Sequence, residues 1–228
     1  MNKKVLIIAA HPDDEVLGCG GTVAKLVKDG YEAASLVLGE GKTSRSEGDN
    51  IDYSEEISAL NDELVKANKI LGISKTFTHN FPDNCFDSVP LLDVIKVIEK
   101  VKTDFQPDIV FTHFEEDTNI DHRIVYNAVL AATRPMVNET VREIYSFEVL
   151  SSTEWRFPLK FSPDMFFDIS ETIEIKTQAM AAYQSELRAY PHPRSLEFIE
   201  MNAKNWGVKT GLNYAEAFKT VRCIKKTI

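Results

Sequence analysis

The sequence predicts an α/β fold, a parallel central sheet with helices on both faces. Three observations carry that prediction. Nearly uninterrupted apolar runs recur at residues 5–10, 33–38 and 108–113, and such runs mark strands buried on both sides. Between them lie segments whose apolar residues repeat at intervals of three and four, the period of a helix face. Strand and helix therefore alternate along the chain, as βαβ units require.

Taken in order, residues 5–10 (VLIIAA) are the first strand, and they run straight into HPDDE and the glycines of LGCGGT. A helix is expected over residues 22–28, stopped by Gly30. Residues 33–38 form the second strand, and the polar loop GEGKTSRSEGDN follows. Ile57, Leu60, Leu64, Ala67 and Leu71 define one face of a helix, with Gly72 where a left-handed cap belongs. Residues 76–80 are a short strand, and Leu91, Ile95 and Ile98 mark a helix ended by Pro107. DIVFTH, residues 108–113, is the next buried strand, with an acidic loop behind it. A helix beginning near Asp121 buries Val125, Ala128, Val129 and Ala132. Further strands are expected at 144–150 and 166–169, with Ser170 capping a helix from Glu171. The last third holds a helix near 196–205 and the glycine-broken segment WGVKTGLNYAEAF. With no repeat, low-complexity tract or clean linker, residues 1–228 read as a single domain.

Composition narrows the function. A net charge of −9 opposes general affinity for nucleic acid or an anionic membrane. Cys19, Cys85 and Cys223 are odd in number and widely spaced, so neither a disulfide framework nor a zinc ribbon is indicated. The apolar run after Lys3 and Lys4 is too short for the core of a secretion signal, and no stretch approaches the roughly 18 apolar residues of a membrane span. A cytoplasmic protein is expected, with monomer and homo-oligomer both open.

In a parallel sheet, ligands bind outside the carboxyl ends of the strands. His11–Glu15 and His113–His122 both belong there, far apart in sequence but at one edge of the sheet. Crowded carboxylates need a cation, a proton or water to compensate them. A dinucleotide site fails because the third glycine of G-x-G-x-x-G would fall on Val23. Magnesium prefers oxygen ligands throughout and leaves His11 without a use. A transition metal, zinc foremost, suits histidine nitrogen with carboxylate oxygen. His11 and Asp14 would then supply two ligands from one turn, and His122 a third from the start of a helix. Asp13, beside the metal, would be placed to take a proton from water. The structural alternative is that Asp13 and Asp14 simply cap the helix that follows.

AHPDDEVLGCGGT (10–22), FPDN (81–84), DTNIDH (117–122) and YAEAF (214–218) together resemble the LmbE-like (PIG-L) family of zinc-dependent N-deacetylases. The resemblance implies a Rossmann-like three-layer sandwich with a mostly parallel central sheet, and hydrolysis of an N-acetyl group, usually from an amino sugar. Carried over by position, it makes His11, Asp14 and His122 the Zn2+ ligands, Asp13 the general base and Asp121 the acid supporting the second motif. Two departures stand out. Asn119 replaces the first histidine of the family's His-Pro-Asp-His, and asparagine cannot transfer a proton at neutral pH. His113 and His192 are the candidates to replace it, and His113 is also a candidate for lining the substrate pocket. Leu60 stands where many relatives carry a substrate-binding arginine, which leaves Arg45 to take over; Arg194, beside His192, suits a sugar hydroxyl, phosphate or carboxylate. The expected function is removal of an N-acetyl group from a small amino sugar or sugar conjugate. A carbohydrate-binding or regulatory module without turnover is the alternative, and Asn119 is the residue that keeps it open.

Overall fold

A computed structural model describes residues 3–43 and 52–225. Its centre is β1 (Lys4–Ala9), where Val5 through Ala10 are completely buried. Alternate side chains of a strand face opposite ways. Val5, Ile7 and Ala9 accordingly join one apolar cluster and Leu6, Ile8 and Ala10 another, which is why the run looks uniformly apolar.

The elements follow as α1 (Asp14–Lys28), β2 (Glu32–Gly39), α2 (Ser54–Leu71), β3 (Lys75–Phe81), α3 (Leu91–Phe105), β4 (Ile109–His113) and α4 (Ile120–Ala132). Then come β5 (Glu143–Phe147), β6 (Met165–Asp168), α5 (Ile173–Ala182), α6 (Leu196–Thr210) and β7 (Ala215–Cys223). Seven strands join in the order β3-β2-β1-β4-β5-β7-β6. β1 to β5 pair in parallel, while β7 runs antiparallel to both β5 and β6. Residues of α1, α2 and α5 cover one face, and residues of α3 and α4 cover the other. The expected three-layer α/β architecture is present, and the antiparallel edge makes the sheet mostly parallel.

Several boundaries differ from expectation. α1 starts at Asp14, not residue 22, and runs through the glycines. They serve close packing: a Cβ on Gly18 would lie 2.3 Å from the Phe147 ring, and one on Gly21 would lie 2.9 Å from Ile169. The helix breaks at Cys19 (φ −147°), and the free N–H groups of Gly21 and Thr22 donate to Glu216 at 3.0 and 2.7 Å. Lys176 neutralises Glu216 and donates to the Leu17 carbonyl at 2.8 Å. Glu216 of YAEAF thus closes the break in a helix almost two hundred residues away. Gly72 forms the expected left-handed cap (φ 80°). Ser170 does not cap α5; its hydroxyl is bonded to Asp168, and the helix begins at Ile173. β5 stops at Phe147 rather than residue 150, and α6 continues to Thr210 before Gly211 ends it (φ 77°).

Candidate active site

Between β1 and β4 the strand order changes direction, because β2 and β3 lie on one side of β1 while β4 and β5 lie on the other. A crevice opens there beyond the carboxyl ends. His11–Glu15 leaves β1 into it, and the segment 114–122 returns from β4. Both chemically loaded segments therefore line one cleft of about 220 Å³, together with Asp83, Asn84, Ser151, Ser152 and Arg194.

His11, Asp14 and His122 each offer one donor atom, all within 4.8 Å of one another. His11 Nδ1 is 3.5 Å and His122 Nε2 3.4 Å from Asp14 Oδ2. Neither ring nitrogen of buried His122 makes a well-formed hydrogen bond. Unused imidazole nitrogen beside carboxylate oxygen is what a zinc-type cation takes up. His11, Asp83 and Asp121 form a second group of the same compactness, but there His11 Nε2 already shares a proton with Asp121 Oδ2 at 2.9 Å. The first group fits a metal better.

Each histidine is held from behind. Asp121 is fully buried; one oxygen meets His11 Nε2 and the other accepts the Phe86 N–H at 2.9 Å. Asp83 Oδ1 stands 3.2 Å from the same His11 nitrogen. Asp117 Oδ1 lies 3.2 Å from His122 Nδ1 and accepts the Asn119 N–H at 2.8 Å, while the Ser152 and Thr153 hydroxyls also donate to Asp117. Such carboxylates orient a ligating imidazole and make it more basic. Burial opposes charge on His122, but Asp14 and Asp117 outweigh it and hold its pKa at about 9. Burial likewise works against Asp117, yet His122 and the hydroxyls keep it at about 2.

Asp13 adopts φ 103°, a left-handed conformation costly for a non-glycine residue. Its side chain makes no capping bond to α1, so capping does not explain this acid. Glu15 holds the turn: Oε2 accepts the Asp13 N–H at 3.1 Å, and Oε1 takes the Tyr183 hydroxyl. Burial, then neighbouring Asp14, pushes the Asp13 carboxyl up to about 7, and Arg194 pulls against them.

The remaining expected site residues are placed differently. Asn119 lines the cleft, but its side chain caps α4 by accepting the Asp121 N–H and donates to Asn84 Oδ1, each at 2.8 Å. His113 is wholly buried and is not among the cleft-lining residues. Its Nε2 accepts the Ala10 N–H at 2.8 Å, and its ring stacks on His122 at 3.9 Å. Burial depresses its pKa well below the usual histidine range. His192 is not among the cleft-lining residues; Nδ1 accepts the Arg194 N–H, and the ring sits edge-on to Trp155. Arg194 lines the cleft but is paired with Asp13 and Glu186. Arg45 lies outside the described residues. Leu60 is buried, close to Gly41 of the cleft wall. Asp83, Asp117, Tyr183 and Glu186 were missed as site residues. Only the first two had a signal, since each sits in a short motif, FPDN or DTNIDH, that already carried the resemblance.

Comparison with known proteins agrees with this fold. The chain is 31% identical to the uncharacterized deacetylase YaiS of Escherichia coli K12 over 189 residues, covering 80% of this chain and 91% of that one. It is 28% identical to the diacetylchitobiose deacetylase of Thermococcus kodakarensis, covering 96% and 83%. Among solved structures, the N,N'-diacetylchitobiose deacetylase of Pyrococcus horikoshii has the same fold, with a TM-score of 0.78 at 23% identity and coverage of 96% and 84%. The family model described as PIG-L, GlcNAc-PI de-N-acetylase, matches residues 6–133, more than half of the 228. With its cleft at the β1–β4 switch and both histidine motifs converging there, this chain belongs to the PIG-L family.

Proposed function

We propose that the protein is a zinc-dependent hydrolase that removes the acetyl group from the nitrogen of an amino sugar or a small conjugate of one. The observation that carries the reading is the position of Asp13. It is a buried carboxylate held in a strained turn, on the cleft wall between His11 and Asp14. His11, Asp14 and His122 would hold the metal, with Asp121, Asp83 and Asp117 fixing the two imidazoles. Two imidazoles and one carboxylate suit zinc and leave a coordination position open. When bound, the metal supplies Lewis acidity to the amide carbonyl and acidity to water.

The chain's own groups do the rest. Asp13 accepts a proton from water as the water oxygen bonds to the amide carbon. The same proton then passes from Asp13 to the departing nitrogen as the C–N bond breaks, leaving a free amine and acetic acid, which gives its remaining proton to solvent as acetate. Asn119 and Asn84 line the cleft with amide groups that hydrogen-bond substrate without moving protons. The burial of His113 and the absence of His192 from the cleft lining support a reading in which Asp13 performs both transfers. The names of the relatives support hydrolysis, and nothing in the cleft favours a binding module without turnover.

The test is to load the protein with zinc and measure acetate and amine release from a panel of N-acetyl sugars, including N-acetylglucosamine and its disaccharide, with metal analysis alongside. Equimolar acetate and amine in proportion to bound zinc is the expected result. Bound zinc with no release across the panel would favour the module.

A further inference from the structure

We infer that Arg194 is a positioning residue for Asp13, itself held by a buried ladder of charges that runs to Lys42; this rests on the deacetylase reading above. Arg194 NH1 lies 3.1 Å from Asp13 Oδ2 and 2.7 Å from Glu186 Oε2. The other oxygen of Glu186, which is 1% exposed, receives Lys42 Nζ at 2.9 Å. Lys42 also donates to Ser185, whose hydroxyl donates to Glu63 on α2. The Arg194 backbone is fixed as well, through its N–H bond to His192 Nδ1. These contacts tie together the segment after β2, the middle of α2 and the segment between α5 and α6, and they converge on one oxygen of the base.

A carboxylate has two oxygens and rotates freely unless one is held. Arg194 holds Oδ2, and Oδ1 has no protein partner among the described residues. Oδ1 is therefore the oxygen that receives the proton from water and returns it to the amine. An arginine that recognises an anionic substrate keeps its planar fork free for two parallel bonds. Here Nη1 is shared between two protein carboxylates and Nε is buried without a partner, so neither edge of the guanidinium offers two accessible N–H groups to a substrate. The ladder also places His192, which sequence reasoning offered as an acid, as a backbone acceptor for Arg194.

The two roles differ in kinetics. Loss of a substrate-binding arginine raises KM, whereas loss of a positioning residue lowers kcat. In the zinc-loaded enzyme, Arg194→Met is expected to lower kcat about 100-fold through misplacement of the base, with KM and zinc content unchanged. Arg194→Lys should recover part of that loss, because an ammonium can meet one carboxylate but not bridge two. Glu186→Gln should fall between wild type and Arg194→Met. A raised KM with kcat retained, or no effect of Arg194→Met, would overturn the inference. Should wild type release no acetate from any sugar, the deacetylase reading fails by itself. The contact is then judged by thermal melting of Asp13→Asn, Arg194→Met and the double variant. Melting shifts that fail to add support the pairing, and additive shifts overturn it.

Discussion

At the scale of single residues, the site is a set of side chains each held by another. His122 meets Asp14 with one nitrogen and Asp117 with the other, and Asp117 is gripped by Ser152, Thr153 and the Asn119 N–H. Asp117→Asn should leave the fold intact and weaken metal binding about 10–100-fold, the usual cost of losing such a support. Competition against a chromophoric chelator would show it; unchanged affinity would mean that Asp117 serves only the loop. His122→Ala removes a proposed ligand outright, and metal analysis after gel filtration should find substoichiometric zinc. The proposed ligands were legible because His11 and Asp14 share one turn and His122 opens a helix. Glu186, Lys42 and Tyr183 were not, because they lie far in sequence from both motifs and act through hydrogen bonds to Arg194, Glu186 and Glu15. Only the folded chain brings them within hydrogen-bond distance.

At the scale of elements, α1 shows why local propensity misled. Three glycines in four residues argue against a helix, yet the helix passes through them because Phe147 and Ile169 occupy the space a side chain would need. Gly18→Ala should therefore cost about 1–3 kcal/mol in urea unfolding through overpacking, although alanine is the better helix former. A stabilised variant would refute this account of the glycines. The break at Cys19 depends on Glu216 and Lys176, both almost fully buried. Lys176→Met would strip buried Glu216 of its ion-pair partner, at a cost of about 3–5 kcal/mol. α4 depends on a smaller device, the Asn119 side chain on the Asp121 N–H. Asn119→Ala should lose about 1 kcal/mol of stability with that cap. Asn119 is thus a capping residue in its own right, and its presence does not argue for a lost activity.

At the scale of the whole molecule, the sheet order explains how two motifs a hundred residues apart come to face each other. β1 and β4 are neighbours and parallel, so their carboxyl ends deliver both motifs to one crevice. That much was legible, since VLIIAA and DIVFTH are apolar on both faces. β7 was not: its first four residues are buried and the next four only partly so, and Glu216 and Lys219 break the apolar pattern. Its place between β5 and β6 is set by pairing, not by its own pattern. A metal that joins segments from β1 and β4 should stabilise the whole fold. At a thousandfold excess over Kd the gain is about 4 kcal/mol, which raises Tm by about 8–16 °C for a chain of this size. A chelator should reverse that shift in a thermal scan. The most direct test of the central claim is acetate release by wild type and Asp13→Asn at equal zinc content, on a sugar that wild type hydrolyses. We expect the variant to keep its metal and its KM and to lose at least about 100-fold in kcat; a variant as fast as wild type would contradict Asp13 as the base.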